Sequence, residues 1–431
     1  MRDRIGRNSR ELHAALKTTA LRRPACSVCS APRCTRFALP FLALLPIGCG
    51  ATERDPAPVC QAAWQELRIP SSLTEAHSGD AVRAGHQAVW TGAELVVWGG
   101  VQTPPFGVRW SPGNEYRALP EEGSPPVGIS PVLLWTGAEV MVAEQSLATY
   151  DPRADAWTEL PPIPSTSEFA TAAAWSGGQF VVERGAKSAL TEYWSYSPSE
   201  GWRELPDIWP REGWLPMVSL GEEVMTWGPG YPEYPENERP LGVRYRPSVS
   251  TWESLASAGQ PSRRYDHALA WTGTEAIVWG GAYYDQAQDQ TEQMRDGARY
   301  YPDSDTWEPM SVEGAPLLLV GPQATVVAGR RMVVYGVLAE DRHGGAVYDA
   351  EADAWSDLTM KCGPPPDLDY SSLTWVDTGL VLWGGVSWCT SDGGGSQICP
   401  DNRERAWFLS SEAALGETAP DPSDCRCPRP M

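Results

Sequence analysis

Trp90-Thr-Gly-Ala-Glu-Leu-Val-Val-Trp-Gly-Gly100 returns almost unchanged as Trp271-Thr-Gly-Thr-Glu-Ala-Ile-Val-Trp-Gly-Gly281. In both, a turn of small residues leads into an apolar strand that stops on a tryptophan and two glycines. Weaker copies are Trp135-Thr-Gly-Ala-Glu-Val-Met-Val142, Trp175-Ser-Gly-Gly-Gln-Phe-Val-Val182 and Leu220-Gly-Glu-Glu-Val-Met-Thr-Trp-Gly228. Ala328-Gly-Arg-Arg-Met-Val-Val-Tyr-Gly336 and Val376-Asp-Thr-Gly-Leu-Val-Leu-Trp-Gly-Gly385 bring the set to seven. A second element follows each of the first six, as in Tyr150-Asp-Pro-Arg-Ala-Asp-Ala-Trp-Thr-Glu-Leu160 and Tyr348-Asp-Ala-Glu-Ala-Asp-Ala-Trp-Ser-Asp-Leu358. Its markers Tyr116, Trp157, Trp202, Trp252, Trp307 and Trp355 are 41, 45, 50, 55 and 48 residues apart. Asp, Pro and Gly between the strands supply type I turn chemistry, so each period reads as two hairpins. Recurrence at this period is the mark of a repeat architecture.

Each period therefore holds four short strands, a to d. An isolated four-stranded unit with open edges is marginal, and radial packing about an axis removes that problem. The seventh copy lacks its last strand, while Trp64-Gln-Glu-Leu67 is a free-standing copy of that strand ahead of the first repeat. The reading is an all-β chain: a seven-bladed β-propeller of four-stranded blades over residues 60–410, its last blade closed by the N-terminal strand. An open array, or six blades with a decayed flank, is the alternative. The flanks are a signal segment at 1–49, a linker at 50–59 and a tail at 411–431.

The glycine doublet followed downstream by an aromatic residue and a tryptophan resembles the kelch repeat of galactose-oxidase-type propellers. Only copies 1, 5 and 7 keep both glycines; copies 2 and 3 read Ala143-Glu144 and Arg184-Gly185. The doublets are assigned to backbone conformations or close approaches that a Cβ forbids. The resemblance implies two enzyme possibilities. A copper-radical oxidase needs two His, two Tyr and a Cys cross-linked to one Tyr, but beyond Cys49 only His77, His86, His267 and His343 remain, without paired placement. A sialic-acid mutarotase of the bacterial kelch type needs no metal. It would use an Arg for the substrate carboxylate and an acid or base at the channel, roles open to Arg264 and His267.

The chain has 431 residues and a formal charge of −21, with nine basic and two acidic side chains in residues 1–48. So acidic a remainder repels phosphate backbones, and no basic stripe interrupts it, so no nucleic-acid partner is expected. The apolar run Phe37–Gly48 behind Arg33 and Arg36 is too short to span a bilayer and fits a secretory segment. Gly48 before Cys49 resembles a bacterial lipobox, in which Cys49 is lipidated. The expectation is an exported, outer-membrane-anchored lipoprotein facing periplasm or exterior, touching membrane only through that lipid, or alternatively a secreted protein. Export makes Cys60, Cys362, Cys389, Cys399, Cys425 and Cys427 disulfide candidates, with 15 possible pairings. Cys389 and Cys399 bracket the Gly-rich loop Ser391–Ser396. Cys26-x-x-Cys29 with Cys34 is half a zinc site that nothing downstream completes. No metal and no cofactor is expected.

In such a blade the d–a and b–c connections share one face. Three b–c connections are elaborated, at Pro229–Arg239, Ala282–Asp296 and Cys389–Cys399, and they are acidic with interleaved tyrosines. Loops on a rigid scaffold concentrate binding residues. The starts of strand a reach the same face, where Arg83-Ala-Gly-His86 and Arg264-Tyr-Asp-His267 share an Arg-x-x-His pattern. An Arg fork suits a carboxylate and His a proton shuttle, whereas in kelch repeats the pair also bridges neighbouring blades. Candidate ligand contacts are therefore Arg83, His86, Arg264, Tyr265, His267 and Tyr284. The expected function is a monomeric, non-catalytic binding module for a protein or carbohydrate on the loop face, with catalysis left open.

Overall fold

The computed structural model describes residues 64–70, 73, 83, 85–100, 107–113, 115–126, 131–143, 146–165, 169–185, 191–206, 208, 215–228, 241–285, 288–319, 324–338, 342–358, 370–385, 388–390, 396–398 and 405–415. All belong to one compact unit, Pro56–Met431.

Seven antiparallel four-stranded sheets form the blades of a β-propeller. Blade 1 runs His86–Trp90, Leu95–Gly99, Gly107–Ser111, Glu115–Ala118, and blade 2 Val132–Trp135, Val140–Ala143, Leu147–Asp151, Ala156–Glu159. Blade 3 is Phe169–Ser176, Gln179–Gly185, Glu192–Ser197, Gly201–Leu205, and blade 4 Met217–Ser219, Val224–Trp227, Gly242–Arg246, Thr251–Ser254. Blade 5 is Ala268–Trp271, Ala276–Trp279, Gly297–Tyr301, Thr306–Pro309, and blade 6 Ala324–Ala328, Arg331–Leu338, Arg342–Asp349, Ala354–Asp357. Blade 7 takes Ser372–Val376, Gly379–Trp383 and Ala406–Ser410 from the C-terminal side and Gln65–Leu67 from the N-terminal side, so it is shared between the two ends of the fold. Each inner strand lies against those of both neighbouring blades, which closes the ring.

Strand b is buried on both sides because it lies between two blades, hence its run of apolar residues rather than an alternation. Seven apolar clusters result, one at each blade interface. Trp98, Trp227, Trp279 and Trp383 close strand b in four blades and are at most 2% exposed. Room for the indole comes from strand c. Gly107, Gly242 and Gly297 are the cross-strand partners of Trp98, Trp227 and Trp279. A Cβ on Gly107 would collide with Trp98 and Leu119, and one on Gly242 would lie 2.7 Å from Trp227 Cδ1.

On the a–b/c–d face the turns are tied blade to blade. Tyr150, Tyr300 and Tyr348 each donate a hydroxyl, over 2.6–2.7 Å, to an Asp five residues on, in the c–d turn. Those residues, Asp155, Asp305 and Asp353, take the left-handed backbone (φ 48–52°) that Asp tolerates. Arginines on strand c, buried Arg109 and Arg244 and half-buried Arg299, reach forward to the Pro152, Pro302 and Ala350 carbonyls of the next blade.

Three segments differ from the sequence expectation. The b–c connections of blades 5 and 7 are partly ordered as extra hairpins, Ala282–Asp285 with Gln290–Gln293 and Trp388–Thr390 with Ser396–Ile398. The packed chain also continues past 410 into a short helix, Ser411–Leu415, because Ala414 is apolar and buries against blades 6 and 7.

Candidate functional site

Arg83 and Arg264 hold equivalent places before strand a, and each turns its guanidinium onto its own blade's glycine doublet. Arg83 Nη1 donates to the Gly99 carbonyl at 2.9 Å, and Arg264 Nη1 to that of Gly280 at 3.3 Å. Arg264 is fully buried and also bonds the Asp296 carboxylate at 3.0 and 3.2 Å, the Asp296 carbonyl at 2.8 Å and Ser262. The doublets Gly99-Gly100, Gly280-Gly281 and Gly384-Gly385 all have φ between 64° and 98°. A Cβ on Gly281 would strike the Tyr265 carbonyl, and one on Gly384 would come within 2.6 Å of the Arg83 carbonyl. The glycines thus serve the backbone geometry that receives the arginine.

The histidines face backwards. His86 shares a 2.8 Å hydrogen bond with Ser372 of blade 7, beside the 2.9 Å bond from Gly385 N to the Arg83 carbonyl. His267 meets Trp227 of blade 4 edge-on, ring centres 5.1 Å apart. Burial, reinforced by Arg83 for His86 and by Arg264 for His267, pulls both imidazoles down to about 3, so both are neutral at physiological pH. The two Arg-x-x-His pairs therefore sit inside the 7–1 and 4–5 interfaces, where they join neighbouring blades.

Between Arg264 and His267 the chain turns outward. Asp266 adopts φ 51°, where blade 1 has Gly85 at 69°, and its carboxyl is pushed up by partial burial although its edge reaches solvent. Tyr265 pairs with Ala282 through two 2.9 Å backbone bonds, attaching the extra hairpin to the blade as a third short strand. Register places Tyr265, Tyr284 and Thr291 on one side of this sheet, and the Tyr265 hydroxyl lies 3.4 Å from Thr291 Oγ1. Tyr283 and Glu292 form a pair on the other side. Tyr284 donates its hydroxyl to Asp289, a hydrogen bond that holds the phenol above its ordinary range, and Gln288 Nε2 donates to Asp285 at 2.8 Å. The result is a half-buried tyrosine platform ringed by carboxylates, able to offer ring faces to a ligand and oxygens to hydrogen-bond donors.

The structure thus gathers Arg264, Tyr265, His267 and Tyr284 at blade 5, with the two basic groups inside and the two tyrosines outside, and puts Arg83 and His86 at blade 1. Asp266 and Asp289 border the platform, while Tyr283 stands on the opposite side of the hairpin sheet; for Tyr283 and Asp289 the signal in the sequence was the length and Tyr content of Ala282–Asp296. Cys389 pairs in backbone register with Gln397. Cys49, Cys60, Cys362, Cys399, Cys425 and Cys427, His77, the Pro229–Arg239 connection and the segment 1–63 lie outside the described residues. Among the described residues no three His, Cys, Asp or Glu side chains are grouped as a metal ion would require.

No protein-family model matches the chain. Acyl-CoA-binding domain-containing protein 6 of Oryza sativa subsp. japonica is 27% identical over 153 residues, which is 32% of this chain and 23% of that protein. The chain therefore matches less than a quarter of that relative's length.

Proposed function

We propose that this is an exported kelch-type propeller of the bacterial cell envelope that acts as a non-catalytic binding module, engaging a protein or carbohydrate through its d–a/b–c face. The observation that carries this is the blade 5 hairpin. The blade's four strands are complete without Ala282–Asp285 and Gln290–Gln293, yet the added sheet aligns Tyr265 with Tyr284 amid carboxylates. Packing alone gives no reason for such an addition, whereas recognition does. The seven-bladed ring and the glycine doublets support the kelch reading. The basic segment, the apolar run and Cys49 support export and a lipid anchor. A mutarotase-type reaction would ask Arg264 and His267 to meet substrate, and both are committed to the protein interior. A net charge of −21 disfavours a polyanionic ligand such as the acyl-CoA in the Oryza protein's name.

The test is a photo-crosslinking residue at Tyr284, compared with one at Val249 in a c–d turn of the opposite face, in cells with the intact envelope. An adduct from position 284 alone is expected. Equal yields from both faces, or none from either, would overturn the reading. Loss of lipid labelling in Cys49→Ala is the matching outcome for the anchor.

A further inference from the structure

The blade 5 hairpin is built by the rule that sets the c–d turns. Tyr284 donates its hydroxyl to Asp289, five residues on, and Asp289 takes the left-handed backbone at φ 54°. Tyr150 with Asp155, Tyr300 with Asp305 and Tyr348 with Asp353 do the same. Gln290–Gln293 is therefore placed by the same turn that places the outer strand in blades 2, 5 and 6, although it belongs to no blade. Its backbone leaves one side open. Ala282 exchanges two 2.9 Å bonds with Tyr265, so its N–H and C=O turn toward the blade, and Met294 N donates to the Gly281 carbonyl at 2.8 Å. In an antiparallel pair these directions alternate along each strand, so Glu292 faces Tyr283 within the ladder while the N–H and C=O of Thr291 and Gln293 point away from it. Among the described residues those four groups have no hydrogen-bond partner. Gln290, Thr291 and Glu292 are exposed, and the strand carries neither the Pro nor the Lys that closes an edge to further pairing.

Both sides of this edge carry side chains fit to read an added strand. Thr291 shares a side with Tyr265 and Tyr284, and Glu292 shares the other with Tyr283. The outer strands of the blades are edges as well, but their aromatic side chains are spent on the fold. Trp157, Trp202, Trp307 and Trp355 donate their indole N–H, over 2.7–2.9 Å, to carbonyls in the connection from the preceding blade. The hairpin is also acidic: Ala282–Asp296 holds four carboxylates against Arg295 alone. Asp296 is engaged by Arg264 at 3.0 Å. Asp289 and Glu292 are exposed without an ion-pair partner among the described residues, and so is Asp266 next to Tyr265.

We propose that a partner protein lays a basic, extended segment along Gln290–Gln293 and so adds a strand to the hairpin sheet. This rests on the binding-module reading and names the partner for the same face. Backbone pairing with Thr291 and Gln293 supplies the attachment, and alternate side chains of the segment stand on the side of the tyrosine platform or on that of Glu292. Arg and Lys suit both sides, because they stack on phenol rings and meet carboxylates. The acidity of the whole chain, −21, draws such a segment in. A carbohydrate has no row of donors and acceptors to match the two-residue period of this edge.

The experiment is calorimetric titration of the full chain, at physiological salt, with an acetylated and amidated octapeptide of alternating Arg and Thr. Its fully N-methylated analogue keeps the charge and loses every backbone donor, and should bind about tenfold more weakly or worse. Thr291→Pro removes an outward N–H that the hairpin does not use, so it should lower affinity for the unmodified peptide about tenfold, whereas Thr291→Val should leave it unchanged. No binding of the unmodified peptide, equal binding of its N-methylated analogue, or affinity unmoved by Thr291→Pro would overturn the proposal. If Thr291→Pro does not fold, the comparison of the two peptides on the unaltered chain decides. A cross-link from position 284 in cells without binding of the peptide would sink strand addition alone and leave the binding-module reading standing.

Discussion

His86 and His267 show how a residue suited to proton transfer can be taken out of that role by its surroundings. Each is enclosed between two blades next to an arginine, and each is held neutral, with its proton affinity lowered to about 3. The unfolded chain keeps imidazoles near their ordinary 6.5, so below that pH it takes up protons that the folded state refuses. Stability should therefore fall as pH drops from about 6.5 toward 3, by about 2 kcal/mol per histidine between pH 7 and 5. Urea unfolding at the two pH values checks this. His86→Gln with His267→Gln should flatten the slope by about that amount, and an unchanged slope would refute the assignment. The pattern itself was legible in the sequence, and so was the choice between ligand contact and blade bridging. What sequence could not supply was the direction of the side chains, because Ser372 lies 286 residues from His86 and becomes its neighbour only when the ring closes.

Pairs of strands explain much that single repeats leave irregular. Glu183 takes the strand b position held by tryptophan in four other blades, and its cross-strand partner becomes Tyr193, whose hydroxyl is 3.3 Å from the Glu183 carboxylate. Blade 2 has Ala143 opposite Leu147, and blade 6 Tyr335 opposite Gly345. One large side chain per pair is kept while its strand changes, as volume conservation in a packed interior demands. Trp98→Ala should cost about 3–5 kcal/mol, and Gly107→Leu alone about 1–3 kcal/mol through overpacking. The double variant copies blade 2 and should recover more than half of the Trp98→Ala loss in denaturant unfolding; simple additivity of the two costs would refute the coupling. The tight a–b and c–d hairpins were readable because their turn residues are local. The Trp–Gly complement was hidden by b–c connections of unequal length, and so were the extra hairpins of blades 5 and 7, which read as loops through their Gly, Gln and Asp content.

At the scale of the whole molecule, the repeats announced seven blades and the stray Trp64-Gln-Glu-Leu67 announced how the last is completed. Gln65, Glu66 and Leu67 pair with Phe408, Trp407 and Ala406, and Trp64 is buried in the cluster between blades 6 and 7. A chain beginning at Arg68 loses this strand and exposes the edge of Ala406–Ser410. It should melt lower and less cooperatively than a chain beginning at Ala62, as read by calorimetry; identical curves would mean that the strand does not close the ring. The same feature has a mechanical meaning. A pull on the segment before Trp64 is borne first by three residues of backbone pairing and one indole, before any other blade is strained. The closing strand is then the clasp of the ring, and tension from an N-terminal tether would open the propeller at blade 7 while leaving six blades whole.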